Sequence, residues 1–240
     1  MIDIMRKLTL FLLINVCSLV GAENIPDWII PLRDAVYEQK LTSDEIRPLY
    51  QAAKRASNTR LTGSALNAAL SRCEYFMGRA LTWEKQNDRA ISYYAEGMKL
   101  AEKAIDIEPS AEAWLIRSEN LSQTCSLRSW AYAMANGLDV EKYARKALEF
   151  NKAYAAAYYL CAARWVYAPK PFDDVPKGIE MMHQILKDTK PDKDDLFNVY
   201  SSIGYGHMLR KNNDEARTWF LKSLEVYPTN KYVTDLLKNL

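Results

Sequence analysis

The stretch FNVYSSIGYGHMLRKNNDEARTWFLKSLEVYPTN, residues 197–230, decides the fold. It has two apolar-periodic halves around the polar junction Lys211-Asn212-Asn213-Asp214, the pattern of two antiparallel helices. Helices that cross closely want small residues at the crossing and one large apolar residue where they diverge. Gly204 and Ala216 supply the small residues, Phe220 the large one, and Ser223 takes the next small slot. Pro228 then ends the second helix, because it can neither donate a backbone hydrogen bond nor continue the spiral.

Gly204, Ala216, Phe220 and Pro228 stand at the spacing of a tetratricopeptide repeat, and the segment resembles one, with His207 in the slot where tyrosine is usual. Upstream segments repeat the pattern less regularly. Tyr158, Cys161, Ala162 and Trp165 have the internal separations of Tyr200, Ile203, Gly204 and His207. A stiff loop containing Pro169 and Pro171 delays the following helix, where Gly178, Met182 and Ile185 take the second-helix slots. A further unit opens at Trp114 with Ser118 and closes on Val140, Ala144 and Ala147. The first pairs residues 65–84 with 88–107 and stops at Pro109. Equivalent slots at Ala104, Ala147, Ile185 and Ser223 are 43, 38 and 38 residues apart, longer than a bare repeat, with insertions at helix junctions making up the excess.

The expected fold is therefore all-α: about four helical hairpin repeats, at residues 60–109, 110–152, 153–191 and 197–230, stacked as a right-handed α-solenoid with a capping helix at 231–240. A capping box at Thr42-Ser43-Asp44-Glu45 begins a short extra helix reaching about Ala56. Few Gly (8) and Pro (9) favour helices over a loop-rich β architecture. A net charge of +2 gives a nucleic-acid partner no electrostatic footprint.

Residues 1–22 read as a secretory signal peptide: Arg6 and Lys7 precede the apolar run 8–16, and Val20-Gly21-Ala22 is a small-residue cleavage pattern. The mature chain, 23–240, is then a single exported helical-repeat domain. Cys17 leaves a lipid-anchored form open, with processing at Cys17 instead of after Ala22. Cys73, Cys125 and Cys161 are an odd number in a disulfide-permissive compartment and read as small buried hydrophobes; one bridge between two of them also stays open.

The order Tyr94-Ala95-Glu96-Gly97, Ala104 to Pro109, Glu112-Ala113-Trp114 with Asn120, then Ala147 to Asn151 and Ala168-Pro169-Lys170-Pro171-Phe172, together with the leader, resembles the periplasmic T component of tetratricopeptide-associated TRAP transporters. Lys152 departs from the pattern by replacing a helix-ending proline. The resemblance covers about residues 90–230 and implies an all-helical, often trimeric protein. It also implies a partner, a periplasmic solute-binding protein, and a cavity for a small apolar or carboxylate ligand. Without the ligand, the same architecture reads as a scaffold for another envelope protein.

No metal set, nucleophile elbow, phosphate cradle or convergent carboxylate pair stands out, so no catalytic residue, metal or cofactor is expected and binding is favoured over enzymatic chemistry. His183 and His207 lack companions at metal or triad spacing. First helices of stacked repeats line an inner face. In the register set by Gly204 that face carries Asn198, Ser201, Tyr205 and Met208, preceded by Tyr159 and Tyr167, and before them Glu119, Asn120 and Gln123. Tyr158 and Tyr159 are adjacent, so only one of them faces inward. Arg128 and Arg164 are the candidate carboxylate partners, with Arg164 in the better context beside Trp165.

Overall fold

The computed structural model describes residues 25–240. The signal-peptide and Cys17 readings lie outside the described residues. Eleven helices occur among the described residues, and no strand. They are α1 (Ile30–Glu38), α2 (Ser43–Arg60), α3 (Gly63–Trp83), α4 (Asn87–Ile107), α5 (Ala111–Leu127) and α6 (Trp130–Phe150). Then follow α7 (Ala155–Tyr167), α8 (Val175–Asp188), α9 (Lys193–Leu209), α10 (Asn213–Val226) and α11 (Lys231–Lys238).

Local chemistry sets several helix starts. The capping box forms at α2: Thr42 Oγ1 accepts from the Glu45 amide, and the Glu45 carboxylate accepts from the Thr42 amide at 2.8 Å. That helix runs four residues beyond the Ala56 expected from sequence, to Arg60. Ser110, Asp174 and Asn230 cap α5, α8 and α11 in the same way, each with its side-chain oxygen.

Neighbouring helices pack as pairs, α3 on α4, α5 on α6, α7 on α8 and α9 on α10. Alternate helices also touch in series: α3 meets α5, α5 meets α7, and α7 meets α9. Helices α3, α5, α7 and α9 thus form one layer, termed the inner layer below, and α4, α6, α8 and α10 the other. Glycines fix the closest approaches. A Cβ on Gly204 would lie 2.6 Å from the Phe220 ring, and one on Gly178 would lie 2.6 Å from Val166, so both seams exclude any side chain there.

The first helix was not anticipated. α1 packs against α3 and α9, joining the first and last pairs of the inner layer. Leu32, Val36 and Tyr37 are buried with Phe76, Phe197, Phe220, Tyr227 and Val233 in the largest core cluster. Polar groups clasp the two ends of the chain together. Thr229 Oγ1 donates to the Glu38 carbonyl and Asn230 Nδ2 to the Tyr37 carbonyl, both at 2.7 Å. Gln39 Oε1 accepts from the Lys231 and Tyr232 amides at 2.7 and 3.2 Å, helping to satisfy the start of α11.

Candidate functional site

The inner layer carries two arginines two helical turns apart on α3, so they point to nearly the same side. Arg72 is buried and fully engaged: Nη2 lies 2.8 Å from Glu112 Oε1, and Nη1 pairs with Glu119. Arg79 has no carboxylate partner among the described residues. Its guanidinium lies over the rings of Trp83, Tyr37 and Tyr75 at 5.0, 5.4 and 5.9 Å, its Nη1 reaches the Tyr75 hydroxyl at 3.5 Å, and its buried Nε donates to nothing.

Tyrosines from α7, α9 and α11 complete the surroundings of Arg79. Ser202 Oγ on α9 bonds both the Tyr167 hydroxyl, at 2.8 Å, and the Tyr159 hydroxyl, at 3.1 Å. Tyr167 stacks on Tyr205 with centroids 5.2 Å apart. Arg79, Tyr159 and Tyr205 each lie within electrostatic reach of the Tyr232 phenol. Burial pushes that phenol up to about 12 and the Tyr167 phenol well above its ordinary value. Yet Tyr167 keeps 45% and Tyr232 41% of their surface accessible. Tyr167 and Tyr232 thus stay partly open to solvent.

The residues singled out from sequence divide into three groups. Tyr159, Tyr167 and Tyr205 are brought together around Ser202, while Tyr158 is exposed, so Tyr159 is the inward member of that pair. Asn198, Ser201 and Met208 lie on the same helix but serve packing. Asn198 Nδ2 donates to the Tyr37 hydroxyl at 3.0 Å, Ser201 Oγ to the Asn198 carbonyl at 3.1 Å, and Met208 packs on the core that α1 completes. α1 packs over Asn198 through Tyr37. Glu119 is committed to Arg72, and Gln123 is half-buried on α5.

Asn120 and Arg164 are corrections to the expected inner face. Asn120 is fully buried and donates to the Ile116 carbonyl at 2.8 Å and to Ser71 Oγ at 3.3 Å. It fills the space under Gly97, where an added Cβ would come within 2.4 Å of its Oδ1. Arg164 bonds Glu141 of α6 at 2.5 Å and lies over the Trp165 ring at 4.2 Å, so its charge is spent between α6 and α7. Arg128 is exposed and rests on Tyr132.

The residue that sequence reasoning missed is Arg79. Its signal was the spacing Tyr75, Arg79, Trp83, which places a cation between two aromatic rings on one helix face.

A second cleft, of about 370 Å3, lies between the starts of α3 and α5 and the end of α4. Its polar groups are already used. Ser64 Oγ donates to the Ala104 and Glu108 carbonyls, Ser110 caps α5, and Glu112 holds Arg72 and the Tyr154 hydroxyl. Nothing in it is left to orient a ligand.

The thiols of Cys73, Cys125 and Cys161 are unbridged, and burial pushes them up to about 12, 11 and 11, so they are held protonated. His207 sits half-buried with its pKa lowered by desolvation. Among the described residues no group of three or more His, Cys, Asp and Glu is arranged to hold a metal, and no helix is long and apolar enough to cross a membrane.

No family model and no curated protein matches the chain.

Proposed function

We propose that this is an exported tetratricopeptide-type binding protein of a TRAP-like transport system, which holds a small, partly apolar anion at Arg79. The observation that carries the reading is the Arg79 guanidinium, half-buried with rings on it, its Nε enclosed, and no carboxylate beside it among the described residues. An isolated buried charge is costly, so proteins keep one chiefly where a partner arrives to neutralise it. Aromatic faces and phenol hydroxyls next to it suit a ligand with an apolar body and a carboxylate head. The repeat reading draws on the Gly204–Phe220 seam and on the packed helix pairs. The leader reading of residues 1–22 supports export, with a lipid-anchored form if processing falls at Cys17.

Docking of a solute-binding subunit has its own support. Trp130, Met134 and Leu138 are one turn apart on α6 and are 65%, 37% and 68% exposed, an apolar stripe that a protein partner would cover. The test of the ligand reading is calorimetry on the chain from Glu23 onward with hexanoate and 3-phenylpropionate. Binding that disappears in Arg79→Gln, with the fold intact by circular dichroism, supports the site. Equal binding by the variant, or none by either protein, removes it.

A further inference from the structure

One glycine of α6 breaks a rule that the other helices keep. Gly78, Gly97, Gly178, Gly204 and Gly206 lie in helix interiors, and each sits beneath a side chain of a neighbouring helix. Tyr94, Asn120, Val166, Phe220 and Ile179 are the covering groups, and an added Cβ would meet each of them at less than 3.0 Å. Gly137, in the interior of α6, would meet nothing within 4 Å. Glycine weakens a helix interior relative to alanine, and no packing within the chain requires it here.

The face beside Gly137 has an apolar end and a charged end. Trp130, Met134, Leu138, Glu141 and Arg145 follow at steps of four, four, three and four, which keeps them on one side of α6. The first three are the exposed apolar stripe described above. The Glu141 carboxylate accepts from Arg145 at 2.6 Å and from Arg164 at 2.5 Å, so a partner covering this face buries no unpaired acid. The Arg145 side chain is 64% exposed, which leaves its guanidinium open to a ring.

We infer that this face binds a second copy of this chain, α6 against α6, antiparallel about a two-fold axis between Gly137 and Leu138. In a two-fold contact residue i meets j while j meets i. An axis at that point sets Leu138 of each copy over Gly137 of the other, the large-on-small device of the internal seams. It also sets Trp130 against Arg145, since one stands seven residues before Gly137 and the other seven after Leu138. A guanidinium on an indole is a pairing this chain already makes, Arg164 over Trp165 at 4.2 Å. A parallel arrangement would oppose Arg145 to Arg145 and lose both complementary contacts.

A single helix crossing covers less than the roughly 800 Å2 per partner of a standard stable interface, so the dimer exchanges at roughly micromolar concentrations. A second copy here takes the stripe that a solute-binding subunit would otherwise cover. α6 lies in the layer opposite the inner one, so the contact leaves the Arg79 site untouched.

Sedimentation velocity on the chain from Glu23 onward, over about 1–500 μM, tests the pairing. The mass should rise from one chain to two. Gly137→Leu and Leu138→Asp should each weaken association at least about tenfold, or about 1.4 kcal/mol. Gly137→Leu is the sharper of the two, because it adds apolar surface: a merely adhesive face would associate more strongly. It also removes a glycine from a helix interior where nothing crowds the new side chain, so the thermal midpoint of the monomer should rise. A monomer at every concentration, a trimer, or association that Gly137→Leu leaves unchanged or strengthens overturns the inference. Hexanoate calorimetry decides the Arg79 site separately, whichever mass is found.

Discussion

Arg72 and Arg79 occupy the same helix and the same side of it, and their surroundings are opposites. Arg72 sits in the acidic half of the inner layer with two carboxylates on it, and Tyr154 bonds one of these in turn. Arg79 sits in the tyrosine half with rings on it and no acid. One guanidinium is a structural tie between α3 and α5, and the other has no carboxylate partner among the described residues. Burial alone therefore does not distinguish a scaffold charge from a binding charge; the inventory of what neutralises it does.

The largest expected effect comes from breaking the tie. Arg72→Met leaves Glu112 and Glu119 facing Tyr154 without their cation, and removing one partner of a buried pair costs about 3–5 kcal/mol. Denaturant unfolding should show that loss as a lower midpoint at unchanged slope. A loss below about 1 kcal/mol would mean that the two arginines are alike and the contrast is empty.

Acid titration sharpens the same half of the molecule. Burial, with Glu112 and Asp194 nearby, raises Glu119 from 4.5 to about 7 in spite of Arg72. Because its folded value lies above its unfolded one, the folded state holds a proton that the unfolded chain has lost. The contribution of this group is greatest below about 4.5 and falls as pH rises through about 7. A shift of this size is worth on the order of 3 kcal/mol. Glu119→Gln keeps an acceptor for Arg72 and removes the ionisation, so it should flatten the fall of stability between those values. A slope unchanged by the substitution would assign the titration to another group.

Much of this architecture was legible because it rests on local rules. Small residues at Gly204, Ala216 and Ser223 and the large Phe220 mark a close helix crossing wherever they occur, and the Thr42–Glu45 box marks a helix start by its own hydrogen bonds. Tyr159, Tyr167 and Tyr205 were placed on one face by register alone. What escaped depends on contacts across the whole chain. Residues 30–38 are a short segment with one arginine and one aspartate, and only their meeting with Phe197, Tyr227 and Asn230 makes α1 a core element. Arg164 looked the better carboxylate partner because Trp165 follows it, but Glu141, on the preceding helix, had already claimed it. Arg72 and Arg79 look equivalent in a helical wheel, since the acids and rings that separate them come from other helices.

The clasp between the chain ends supplies a middle-sized effect. Asn230 donates to the Tyr37 carbonyl at 2.7 Å and accepts from the Val233 amide at 3.1 Å, so Asn230→Ala removes a helix cap and a tie to α1 together. Each such loss is typically about 1 kcal/mol, and the thermal midpoint should fall by a few degrees. Since α1 also carries Tyr37 beneath Arg79, hydrogen exchange should rise first in residues 30–38. Faster exchange in α5 and α6 instead would place the weak joint away from the clasp.

The smallest expected effect on stability is at Arg79 itself, and its smallness is the point. Arg79→Met fills similar volume, gives up attraction to three rings worth about 0.5–1 kcal/mol each where water reaches them, and recovers the cost of desolvating a guanidinium. These terms oppose one another, so the change should stay within about 1 kcal/mol of zero, against the several expected for Arg72→Met. The same substitution should abolish the proposed carboxylate binding, since Arg72 and Arg164 are already paired with acids. A stability loss matching that of Arg72→Met would show that the rings hold Arg79 as firmly as the carboxylates hold Arg72. The tyrosine half would then be scaffold as well.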